Sequence, residues 1–116
     1  MKRSTTEGPG TPGSNRRIAA ILHDHVDDLS RVREIDHYAY FPSAQSRAAF
    51  LEGCAALGLS VARTMEPDSH SKQFGAIVFH IDAPNIQTMD DMTSRLIDLA
   101  KEAGGEYDGW ETQILE

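Results

Sequence analysis

The chain is short of cysteine, of cations and of aromatic rings. A single Cys, Cys54, excludes an internal disulfide and a cysteine-rich zinc centre, and it suits a reducing cytoplasm. No apolar run approaches the roughly 20 residues that cross a bilayer. The two bases near the start are followed by no apolar stretch, which excludes a secretory signal. Phosphate-cradling Gly loops, nucleophile elbows and paired-carboxylate signatures are absent. No residue is therefore given a catalytic role, and no metal or cofactor is expected. The shortage of cations is uneven. Residues 1–17 hold four bases against one acid, a net of +3, and the rest hold seven against seventeen, a net of −10. An acidic body repels phosphate backbones and favours basic partners, so direct nucleic-acid binding is disfavoured.

What is present fits one domain in 116 residues. Residues 4–15, STTEGPGTPGSN, have too little apolar surface to offset ordering, so residues 1–15 read as a flexible tail and 16–116 as the domain. Ile18, Ile21, Leu22, Val26 and Leu29 follow helical spacing and predict an N-terminal helix. VREIDHYAYF, 32–41, alternates: Ile35, His37, Ala39 and Phe41 share one face, Asp36, Tyr38 and Tyr40 the other. Ser43 caps a helix to about Leu57 with Phe50, Cys54 and Leu57 inward, and Gly58 ends it. LSVARTM, 59–65, alternates again, with Leu59, Val61 and Met65 on one side. A hairpin loop over 66–72 leads to QFGAIVFHID, 73–82, which sets Ile77, Phe79 and Ile81 against Ala76, Val78 and His80. Met89, Met92, Leu96, Leu99 and Ala103 mark an amphipathic helix over 86–103, closed by Gly104 and Gly105 with positive φ. Residues 106–115 form the last strand. The predicted class is α+β, a ferredoxin-like βαββαβ antiparallel sheet with two helices on one face plus the N-terminal helix. The last strand is expected at the sheet edge, beside the first.

The closing run GGEYDGWET, 104–112, holds the single Trp and three of the nine Gly. Asp108-Gly109 reads as a kink or bulge, with Trp110 covering the bare glycine. The same run reads as a protein-recognition edge of Glu106, Tyr107, Asp108, Trp110 and Glu111, since aromatics with acids suit a basic partner. Both readings stand together. His23-Asp24-His25 is read as solvated helix polarity, because residues two apart on a helix cannot share one ion. His37 and His80 fall on the two central strands and are expected as neighbours, with Asp36 and Asp82 turned away from them. Cys54 is a packing residue. Two further readings use the open sheet face. Tyr38, Tyr40, Phe74 and Phe79 would bind single-stranded nucleic acid there. His37 and His80 would serve a small ligand there.

The helix ending in AGGEYDGWETQI, together with EIDHYAYFPSAQSRAAF at the first strand, resembles the regulator of ribonuclease activity B (RraB) family over roughly residues 17–116. The resemblance implies a bacterial, cytoplasmic ferredoxin-like domain that binds ribonuclease E and inhibits it. It would act as a protein ligand with no catalysis of its own.

Overall fold

The computed structural model of the chain describes residues 4–7, as backbone, and residues 31–113. The expected N-terminal helix and the His23-Asp24-His25 run lie outside the described residues. The elements are strand β1 (Ser4–Glu7), strand β2 (Arg33–Phe41), helix α1 (Ala44–Ala56), strand β3 (Ser60–Met65), strand β4 (Phe74–Asp82), helix α2 (Ile86–Glu102) and strand β5 (Glu106–Gln113). From β2 onward they run strand–helix–strand–strand–helix–strand, the order the periodicity predicts. The sheet is antiparallel, ordered β1-β5-β2-β4-β3.

One strand departs from expectation. Ser4–Glu7 pairs with Gln113 to Trp110, so β5 is flanked on both sides and β1 takes the edge. A strand stands where composition alone reads as tail. The reason is that ladder bonds are made by the main chain. An unpaired strand edge offers its main-chain groups to an extended segment.

Both helices are stopped by capping chemistry written in the sequence. Ser43 Oγ accepts from Ser46 N at 3.1 Å, and Asn85 Oδ1 accepts from Thr88 N at 2.9 Å. Gly58 and Gly104 leave the helices at φ +86° and +84°. At each exit the next residue bonds back five positions, Leu59 N to Cys54 O at 3.0 Å and Gly105 N to Ala100 O at 2.8 Å. Gly105 differs from the expectation of positive φ. Its requirement is space: a Cβ there would sit 2.2 Å from the Phe41 ring and 2.5 Å from the Tyr40 carbonyl. Gly105→Ala should therefore destabilise by about 1–3 kcal/mol through overpacking, read as a lowered denaturant midpoint.

The core lies between the helices and the sheet face bearing Ala39, Phe41, Ala76, Val78 and Tyr107. Phe50, Cys54, Leu96 and Ala100 cover it from the helices. Phe41 and Phe50 meet at 4.9 Å between ring centres. Met89 is fully inside and Met92 packs against the cluster. Burial raises the Cys54 thiol to about 12, as befits a packing residue. Arg47 anchors α1 to the hairpin. Its Nη1 donates to Met65 O at 3.1 Å and Glu66 Oε2 at 2.7 Å, and its guanidinium lies 5.4 Å from the centre of the Phe74 ring.

Strand β3 corrects a second expectation. Its register skips at Ala62, so Val61 opposes Val78 while Met65 opposes Gly75. Strict alternation put Leu59, Val61 and Met65 on one side. The extra residue instead sends Val61 to the helix side and Met65 to the open side. There Met65 and Tyr40 close over Gly75, where an added Cβ would lie 2.6 Å from the Met65 methyl.

Candidate functional site

Chemistry-bearing residues collect on the two opposite faces of β2, and each group is assembled by register. On the helix side, Trp110 opposes His37, which opposes Val78, and Ile35 opposes His80. A skip between Tyr38 and Ala39 leaves Asp108 as the extra residue of β5, with Gly109 at φ +127°. In regular alternation Tyr107 and Trp110, three apart, would face opposite ways. The bulge puts both on the helix side, 4% and 1% exposed. The closing run is thus divided: Tyr107 and Trp110 lie in the core, Glu106 and Asp108 are exposed, and Glu111 is half-buried on the open face.

The Tyr107 hydroxyl meets His37 Nδ1 at 2.7 Å. His37 Nε2 meets His80 Nε2 at 3.0 Å, with the rings stacked 5.1 Å apart. His80 Nδ1 faces Asp82 Oδ2 at 3.8 Å. Asp82 lies two residues beyond His80 and so shares its face, contrary to the expectation that it turns away. The histidines were also expected on the open face in the small-ligand reading. They instead lie beneath the helices, His37 at 1% exposure. One proton assignment gives each ring nitrogen a complementary role. His80 keeps its proton on Nδ1 toward Asp82, His37 Nε2–H donates to His80 Nε2, and Tyr107 O–H donates to His37 Nδ1.

All three groups are held neutral. Burial, then the neighbouring His80, drives His37 well below the usual imidazole range. Burial lowers His80 against the pull of Asp82. Burial, then the Asp108 charge, pushes the Tyr107 phenol well above its usual range. Sequence reasoning placed the two histidines side by side. It missed Tyr107 as their third member, because only the bulge turns that ring inward. Among the described residues no group of three or more His, Cys, Asp or Glu side chains is placed to hold a metal ion.

The open face carries Glu34, Asp36, Tyr38 and Tyr40 from β2. Opposite them lie Ile81, Phe79, Ile77 and Gly75 from β4, and Glu111 and Glu106 from β5. Phe74 opposes Phe41 on the helix side and leaves the aromatic set expected here. Tyr38 Oη donates to Glu111 Oε1 at 2.5 Å. Burial, a shared hydrogen bond with Glu34, and the charges of Glu34 and Glu111 raise Asp36 to about 7. Asp36 Oδ1 is buried without a donor, so the two carboxyls hydrogen-bond only when one is protonated. Burial and the Glu111 hydrogen bond raise the Tyr38 phenol as well. At the same end Ile81 is 60% and Val32 65% exposed.

No helix among the described residues is long and apolar enough to cross a membrane. A comparison with curated proteins returns no match. The family model described as Regulator of ribonuclease activity B matches residues 13–112. That span takes in every strand and helix from β2 to α2 and nearly all of β5, including the bulged EYDGW run, and the chain belongs to the regulator of ribonuclease activity B family.

Proposed function

We propose that the chain is a non-catalytic protein ligand that binds a ribonuclease and lowers its activity. Family membership carries this reading. Ribonuclease E is the target that the sequence resemblance implies. We read the scaffold as a ferredoxin-like split βαβ unit extended by one edge strand. The acidic balance suits a basic protein partner better than RNA, since phosphate contacts require Lys and Arg. We assign Glu106, Asp108 and Glu111 of the closing run to such a partner, the first two exposed and Glu111 already holding the Tyr38 hydroxyl, while Tyr107 and Trp110 hold the strand in place.

The test is a titration of the purified chain into ribonuclease E cleaving a fluorescent RNA, with co-capture of the two proteins measured in parallel. Cleavage should fall to a plateau as the chain approaches equimolar with the nuclease, with the pair recovered together. Unchanged cleavage and no recovered pair would overturn the reading. Loss of cleavage through sequestration of the RNA itself would point to nucleic-acid binding on Tyr38, Tyr40 and Phe79.

A further inference from the structure

We propose that the open sheet face, at the end where Glu34 and Asp36 of β2 lie between Ile81 of β4 and Glu111 of β5, docks a basic polypeptide segment through its Arg or Lys side chains. The proposal rests on the protein-ligand reading above and names the surface and the chemistry of the partner. Cross-strand pairing carries it: Glu34 opposes Ile81, and Asp36 lies between Phe79 and Glu111. Arg and Lys combine an apolar stem with a charged head. The exposed Ile81 and Val32 offer apolar surface for the stem, and the carboxylates lie next to them for the head.

Charge complementarity selects the occupant. Among the described strand residues the open face holds the carboxylates Glu34, Asp36, Glu106 and Glu111 against one cation, Arg63, which opposes Ile77 on β3. A phosphate chain would meet the wrong sign of field. An arriving guanidinium or ammonium also supplies what the carboxyl pair lacks. It offsets the repulsion between Glu34 and Asp36 and stabilises the ionised form of Asp36. Docking should then release the proton that Asp36 holds near neutrality. The groups facing Asp36 are Glu34 and Tyr38 on its own strand, Phe79 on β4 and Glu111 on β5. Asp36 itself is raised to about 7, so binding should strengthen as the pH rises from 6 to 8.

The experiment titrates the isotope-labelled full chain with a synthetic twelve-residue peptide alternating Arg and Leu, followed by NMR. A Glu/Leu peptide and a short single-stranded RNA serve as comparisons. The expected result is shifts centred on Glu34, Asp36, Ile81 and Glu111, with the Arg/Leu peptide alone. Glu34→Gln with Glu111→Gln should weaken binding about tenfold and flatten its salt dependence. Asp36→Asn should remove the pH dependence. Gln at 111 still accepts the Tyr38 hydroxyl, so folding is preserved, and an unchanged melting temperature checks this. Glu102→Gln, exposed on α2, controls for net charge. Shifts mapping elsewhere, equal binding by the RNA, or affinity unmoved by the double change would each overturn the proposal. If the same double variant still captures and inhibits the ribonuclease at full strength, the face fails while the protein-ligand reading stands. If the nuclease is not captured at all, that reading fails and the peptide shifts alone decide whether the face is a basic-segment site.

Discussion

Trp110→Ala should remove about 3–5 kcal/mol of stability, the largest loss expected of any truncation to Ala among the described residues. The ring is 1% exposed and is the largest fully buried side chain among the described residues. It lies directly across from His37, on the strand that joins β2 to the edge strand. Domains of this kind hold about 5–15 kcal/mol in total, so the variant should be largely unfolded well below the parent's midpoint. Because Trp110 is the only tryptophan, unfolding of the variant must be followed by circular dichroism. The parent's own fluorescence should be blue-shifted and should move red on unfolding. A loss under about 1 kcal/mol would mean that neighbours refill the site and that the ring does not hold the strand in place.

Acidification should bring the second large effect. His37 and His80 titrate lower in the folded chain than in the unfolded one. Their contribution is complete above the unfolded value near 6.5 and is lost as the pH falls below it, because the unfolded chain then binds protons that the folded chain refuses. The buried His37 contributes up to about 1.4 kcal/mol per pH unit in that window, and His80, closer to the surface, adds less. Geometry sharpens the effect. A second proton on His80 sets two N–H groups against each other across the 3.0 Å contact. Relief then requires His37 to turn its donor toward Tyr107, whose hydroxyl must find a new acceptor in the core. Asp36 acts with the opposite sign. Raised to about 7, it favours the folded state as the pH falls through that value, down toward its unfolded 3.8. The histidine effect is therefore best read in Asp36→Asn. Urea midpoints for that variant should fall steeply from pH 6.5 to 5, and a flat profile would show that the histidines are not held neutral by burial.

Much of the scaffold was legible in the sequence because it depends on local rules. The alternation of EIDHYAYF, the three-and-four spacing through Met89, Leu96 and Ala103, Ser43 as a cap, and Gly58 and Gly104 as exits each follow from nearest neighbours along the chain. The bulge at Asp108-Gly109 was legible as well, from a glycine following an acid at the head of a strand. What escaped depends on pairing across the sheet. The skip at Ala62 reverses which way Met65 points, yet nothing in LSVARTM marks it. Ser4–Glu7 is held by main-chain bonds that carry no side-chain signature. The Glu34–Asp36 pair was hidden in a run that looked like ordinary solvent-facing polarity. Burial and Glu34 raise Asp36, and Glu111, brought alongside from 75 positions away, adds to them. The closing run was legible as either packing or recognition. The bulge turns Tyr107 and Trp110 inward and leaves Glu106 and Asp108 exposed, since the parity of each position decides which side of the sheet it faces.

The single surplus residue at Asp108 gives the last strand a property resembling a reading frame. A change of residue type between Tyr107 and Trp110 alters one place. An added residue alters the address of everything downstream, sending Trp110 and Thr112 outward and turning Glu111 and Gln113 into the core, whereas removing Asp108 itself would leave Tyr107 and Trp110 two apart and both still inward. The run EYDGW is therefore as much a ruler as a set of contacts, and an insertion there would invert the strand where a substitution would only wound it.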